Sequence, residues 1–279
     1  MLLSQAALNQ RMSDSSKRIG LATGWQWFRD GFARYRRNPV LMVFWVMSYW
    51  TMLGMAGLVP VIGDLLVAAL APVLLVGVLA GCRALDAETM PSFTLMFSGF
   101  RNRLQPLMGL GVLHFLLTLG VLGLTAAFDG GTLLQFMARS TLGAGADATT
   151  LNPDNLSLTA MLVALAVYVP VMLAFAYAPL LVAWRGFGVG KALFFSLVGS
   201  WRAWQGLMGL FSAILVFGVL VPSVVMMLLV ALGVGDAVVT SLVVVPLMAV
   251  LAPTVVSAFL SSYRDVLADN EGAAPAQPT

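Results

Sequence analysis

PLMGLGVLHFLLTLGVLGLTAAF (106–128) runs for 23 residues without one charged side chain. A helix needs about 20 apolar residues to cross the hydrocarbon core of a bilayer. Its backbone groups find no water there, so they must bond within the segment, as they do in a helix. The alternation of a barrel strand is missing. The stretch therefore predicts a transmembrane helix. Five further segments read the same way: Val40–Val59, Leu65–Gly81, Leu158–Trp184, Gly206–Leu232 and Ala237–Leu260. The expected fold class is all-α, a polytopic membrane protein with six transmembrane helices. A single domain is expected over residues 24–265, after a cytoplasmic segment 1–23 and before a disordered cytoplasmic tail, 266–279.

Composition agrees. The 279 residues are 60% hydrophobic and 10% charged, where soluble domains carry about 25% charged residues. Only a bilayer covers so much apolar surface. Cys82 is the single cysteine, which excludes an intrachain disulfide and paired-cysteine zinc sites. The apolar start, Met1–Leu8, precedes its positive charges, the reverse of a signal peptide.

Charge then predicts orientation. With the N-terminus inside, the inner regions are 1–39, 82–105, 185–205 and 261–279, and they hold 14 of the 15 Lys and Arg residues. The outer loops hold Arg139 and five acids: Asp64, Asp129, Asp147, Asp154 and Asp236. This positive-inside bias predicts that both termini are cytoplasmic. No formal charge lies deep within a predicted span. Such charges mark transport paths, so their absence argues against a proton or ion pump.

The longest outer loop, 129–157, contains GGTLLQFMARS (130–140). Its Leu133, Leu134, Phe136 and Met137 are expected to dip into the interface. NPDNLS (152–157) reads as a turn capping the fourth span through Asp154 or Asn155.

QPLMGL (105–110) matches QGLMGL (205–210) at five of six positions. Composition alone makes such a match unremarkable, so position decides. Each odd-numbered span is preceded by large apolar residues at helical spacing: Trp25, Phe28, Phe32 and Tyr35; Phe93, Phe97, Phe100 and Leu104; Phe194, Leu197, Trp201 and Trp204. Basic residues share each segment: Arg29, Arg34, Arg36 and Arg37; Arg101 and Arg103; Lys191 and Arg202. Each even-numbered span carries an Ala-Pro pair, Ala71–Pro72, Ala178–Pro179 or Ala252–Pro253, and then Arg83, Arg185 or Arg264. Three repeats are expected, each an amphipathic basic helix followed by a transmembrane hairpin.

Those eight basic residues, Arg29, Arg34, Arg36, Arg37, Arg101, Arg103, Lys191 and Arg202, are the candidate lipid-headgroup contacts. On an anionic leaflet each contributes about 1 kcal/mol. Two readings stay open, a plain orientation signal and specific lipid recognition. Topology explains the basic balance, so no nucleic-acid partner is expected.

Pro72, Pro170, Pro179, Pro222, Pro246 and Pro253 lie within spans, where they either kink packed helices or open a site at mid-membrane. His114, the only histidine, is expected as a neutral ring bonded to a nearby Ser, Thr or carbonyl. Gly77 with Gly81, and Gly120 with Gly123, permit close helix contact. No phosphate loop, nucleophile elbow, His/Cys cluster or carboxylate pair is present. GFGVGK (186–191) has the wrong spacing for a phosphate loop. No cofactor, metal or catalytic residue is expected.

GWQWFRDGFARYRRNP (24–39), MPSFTLMFSGFRNR (90–103) and APLLVAWRGFGVGKALFFSLVGSWRAWQ (178–205) resemble a family of six-helix inner-membrane proteins of proteobacteria. That family is distantly similar to the membrane domain attached to some glycerophosphodiester phosphodiesterases. The resemblance covers most of residues 20–265 and implies a bacterial cytoplasmic membrane. The family has no assigned activity, so no functional residue carries over, and the hydrolase domain is missing. The expected function is a non-enzymatic scaffold, assembly factor or regulator acting through lipid or protein contacts. The alternative is a transporter or flippase for an uncharged or lipid-like substrate.

Overall fold

The computed structural model describes residues 19–101, 103–132, 135 and 158–267. Among them no strand occurs. The elements are α1 (Leu21–Arg37), α2 (Pro39–Gly57), α3 (Gly63–Asp86), a 3-10 turn (Phe93–Phe97) running into the short α4 (Ser98–Arg101), α5 (Leu104–Asp129), α6 (Leu158–Ala176), α7 (Ala178–Arg185), α8 (Val189–Arg202), α9 (Trp204–Leu215), a π-helical turn (Val216–Leu220), α10 (Val221–Ala231) and α11 (Asp236–Leu267).

Six stretches of the described residues are long and apolar enough to cross a membrane: Pro39–Gly57, Gly63–Asp86, Leu104–Asp129, Leu158–Arg185, Trp204–Ala231 and Ser241–Leu267. The expected number holds. The second and sixth run further than expected, because helix continues past the apolar core through Arg83 and Arg264. The expectations for Leu133, Leu134, Phe136, Met137, Asp154 and Asn155, and for the tail beyond Leu267, lie outside the described residues.

The prolines act unequally. α3 passes through Pro72, α6 through Pro170, and α11 through Pro246 and Pro253. The fifth span instead widens into its π-helical turn just before Pro222. A proline ring clashes with the carbonyl four residues back. Here that residue is Gly218, inside the widened turn, where the longer bonding step relieves the clash. The fourth span breaks at Tyr177, and a serine holds the break. Ser196 Oγ accepts the Tyr177 amide at 2.9 Å and donates to the Leu173 carbonyl at 3.0 Å. A regular helix would bond Tyr177 to Leu173 directly. The hydroxyl stands in that bond, a recognised cause of helix kinks.

Contacts group into two units, each described by itself. One comprises the chain up to Phe44 together with Gly199 onward, the other Trp45–Val198. In the first, α1 packs on α9 and α11, and Trp27, Phe28, Ala203, Leu210, Ala213, Leu251 and Ala258 form its buried core. Glycine allows the approach. A Cβ on Gly24 would collide with the Gly206 carbonyl, and one on Gly31 with the Thr254 carbonyl. In the second unit α3 is the most enclosed span, burying Val73, Leu74, Val76, Val78 and Leu79. The 3-10 turn and α4 pack on α3, with Gly77 against the Met96 carbonyl and Gly99 against the Val73 carbonyl. Lipid tails are as apolar as leucine, so helices in a bilayer associate through van der Waals fit, and small residues supply it.

Candidate functional site

The basic residues that precede the odd-numbered spans divide into two kinds. Arg29, Arg36, Arg37 and Arg202 of the first unit are exposed, as are Arg101, Arg103 and Lys191 of the second. Arg34 is not. It is 8% exposed, and its Nη1 donates to the Ser257 carbonyl at 2.8 Å and lies 3.4 Å from Ser261 Oγ. This corrects its place among the headgroup contacts. Arg34 is an internal tie between α1 and α11. The last turns of α11 offer a carbonyl and hydroxyls, and a buried guanidinium needs such acceptors.

The buried face of α1 also differs from the expected one. Gly24, Trp27, Phe28, Gly31 and Arg34 point inward. Of the expected aromatic set, Phe28 is buried and stacked on Phe217, with ring centroids 5.3 Å apart. Trp25 is half-buried and donates from its indole nitrogen to Ser212 Oγ at 3.0 Å. Phe32 is exposed. Trp27 was missed, although its indole nitrogen donates to Asp265 Oδ2 at 2.6 Å. The legible signal was Gly24 and Gly31, seven residues apart and so on one helical face.

α8 is arranged in the opposite sense. Ala192, Ser196, Gly199 and Ser200 turn inward, while Phe194, Trp201, Lys191 and Arg202 are exposed. Trp204, which opens α9, is exposed too. Aromatic rings beside cationic tips suit the boundary between lipid tails and headgroups. The second aromatic segment is mixed: Met96 and Gly99 are buried and Phe93 is exposed.

His114 stands among aromatic rings. Phe175 meets it edge-on at 4.9 Å between centroids, and Tyr168 lies at 6.3 Å. Thr118 Oγ1 donates to the His114 backbone carbonyl and not to the ring. The expected Thr, Ser or carbonyl partner of the ring is replaced by ring packing. Gly77 and Gly81 both sit in close contacts, Gly81 under the Trp45 ring, whereas Gly120 and Gly123 face open space. Among the described residues no group of three His, Cys, Asp or Glu is placed to hold a metal.

Over 270 residues the chain is 34% identical to a probable inner membrane protein of Burkholderia thailandensis, a match covering 93% of this chain and 96% of that one. The chain belongs to that family. For this inner-membrane protein the relative's name and the six apolar helices agree, and neither names a reaction or a ligand. No protein-family profile matches the chain, and no solved structure matches it.

Proposed function

We propose that this inner-membrane protein is a non-enzymatic scaffold, assembly factor or regulator that works through lipid or protein contacts at the ends of its spans. The observation that carries the reading is α8, which turns small residues inward and leaves Lys191, Phe194, Trp201 and Arg202 exposed. A helix kept only for packing would not need rings and charges on its outer side.

We read the fold as three repeats with both termini cytoplasmic. Two matching contacts support the repeats. Gly31 meets the carbonyl of Thr254, the residue after Pro253, and Gly99 meets that of Val73, the residue after Pro72. In both, the segment before an odd-numbered span rests on a Pro-containing span. Ser196 meets the third such span at its break. The bond from Trp27 to Asp265 draws residues near the two ends of the chain to one side, and the inner excess of Lys and Arg makes that side the cytoplasm.

Mass spectrometry of the protein gently extracted from its native membrane tests the function. The expected result is a stoichiometric protein partner or an enriched lipid that Lys191→Gln with Arg202→Gln diminishes. Unchanged localisation and unchanged co-purifying molecules in that variant would remove the basis of the reading. A transporter or flippase is the second reading. The break at Tyr177 favours it, since interrupted helices line substrate sites in transporters. Retention of one small molecule with no protein partner would move the assignment there.

A further inference from the structure

Cations of the second unit converge on the short link between α7 and α8. The Arg83 guanidinium carbon, from the end of α3, lies 4.4 Å above the Trp184 ring. Arg103, just before α5, lies against Gly186, where a Cβ would stand 2.8 Å from its Nη2. The Lys191 ammonium sits 4.3 Å from the Phe187 ring centre. Arg185 is the last residue of α7, at the start of the link. Residues 184 and 186 thus each meet a cation from another part of the unit, Phe187 meets the nearby Lys191, and Arg185 stands among them in the chain.

Two features mark this as a built arrangement. Arg103 is held at φ 69°, in the left-handed region that side-chain-bearing residues avoid. Such conformations persist where surrounding structure holds them, and they gather at functional sites. Gly186 is left-handed as well, at φ 66°, and its missing side chain makes the space that Arg103 fills. The partners of Arg83 and Lys191 are aromatic faces. A ring attracts a cation through its quadrupole but carries no charge, so the positive charge remains for an anion. Asp86 and Glu88 are the nearest acids to Arg83 along the chain.

We propose that the α7–α8 link, with Arg83, Arg103 and Lys191, is a binding site for a phosphate group. Planar guanidinium forks match phosphate oxygens in pairs, and an ammonium adds a point charge. The site lies where three apolar helices meet their polar connections, and a headgroup is sought at such an end of a span. The phosphate comes either from an anionic phospholipid or from a soluble phosphorylated molecule. The proposal rests on the reading of this surface as a contact surface and makes one part of it specific. GFGVGK takes part without being a phosphate loop, because Arg83 and Arg103 reach it from other elements.

The test uses the full chain, purified in mild detergent, delipidated, and titrated with phosphatidylglycerol, phosphatidylethanolamine or inorganic phosphate under native mass spectrometry. The wild type is expected to hold phosphatidylglycerol in preference to phosphatidylethanolamine. Arg83→Gln with Arg103→Gln is expected to weaken that binding by roughly fivefold or more, the scale of losing at least one headgroup charge contact. Gly186→Ala leaves every charge in place but displaces Arg103, and is expected to weaken binding similarly. Arg29→Gln with Arg36→Gln, at exposed positions of α1, is the charge-matched control and is expected to weaken that binding clearly less. Thermal melts check folding, and Arg83→Gln alone, at an exposed position, keeps the test decisive if Gly186→Ala fails to fold. Equal weakening by the control overturns the site while leaving the contact-surface reading intact. Phosphate binding without lipid binding, sensitive to the same variants, assigns a soluble ligand to the site. Binding of neither probe to the wild type, or no effect of the Arg83 and Arg103 changes, overturns the proposal.

Discussion

Trp27 and Asp265 stand 238 residues apart in the chain, and the indole nitrogen of one donates to the carboxylate of the other at 2.6 Å. The ring is 1% exposed. Trp27 therefore combines a large buried apolar surface with a charge-assisted bond at its edge. It joins the helix before the first span to the end of the last one.

Trp27→Ala is expected to lower stability by about 3–5 kcal/mol, the usual cost of emptying a buried aromatic site. Trp27→Phe keeps most of the buried ring and loses the bond, for about 1–3 kcal/mol. Thermal unfolding in detergent separates the two. If Asp265→Asn proved as damaging as Trp27→Ala, the bond and not ring burial would dominate.

Gly24→Val and Gly31→Val are each expected to destabilise by about 1–3 kcal/mol or more, because an added side chain meets backbone that cannot move aside. Gly24 faces the Gly206 carbonyl and Gly31 the Thr254 carbonyl. Gly54→Ala and Gly109→Ala, where nothing lies within 4 Å, are expected to be neutral or to stabilise by up to about 1 kcal/mol. Equal melting shifts at all four positions would show that helix propensity, not packing, sets these glycines.

Arg34 is expected to separate from its neighbours. Arg34→Gln removes bonds from a charged, buried group and should cost about 1.5–3 kcal/mol. Arg29→Gln, Arg36→Gln and Arg37→Gln change exposed positions and should stay within about 0.5 kcal/mol. Their effect on lipid selectivity should be smaller than that of Arg83→Gln with Arg103→Gln. A lipid effect from Arg34→Gln with no loss of stability would put Arg34 back among the headgroup contacts.

Ser196→Ala removes the hydroxyl that bridges the Tyr177 amide and the Leu173 carbonyl and should cost about 1–3 kcal/mol. Ser196→Thr keeps the hydroxyl and should be milder. Hydrogen exchange at the Tyr177 amide is the direct readout. Faster exchange in Ser196→Ala is expected. Unchanged exchange would mean that the helix closes the Leu173–Tyr177 bond by itself.

Hydropathy and charge carry the six spans, because bilayer thickness imposes a length and the lack of water imposes internal bonding. Both are properties of consecutive residues, so PLMGLGVLHFLLTLGVLGLTAAF announces a span without knowledge of any other part of the chain. Gly24 and Gly31 share a helical face by their spacing, but nothing marked them among the 27 glycines as the ones that meet backbone. Tertiary structure decided which side of α1 faces protein. Successive residues on a helix differ by about 100° in direction, and aromatic rings suit a lipid interface and a protein core equally, so periodicity favoured Phe32 where packing chose Trp27. The buried state of Arg34 depends on acceptors at Ser257 and Ser261, more than 200 residues away, and the meeting of Arg83 and Arg103 at one link depends on three elements far apart in sequence. Local pattern determines which segments enter the membrane. Only the packing of distant segments determines which charges stay at the surface and which are drawn inside.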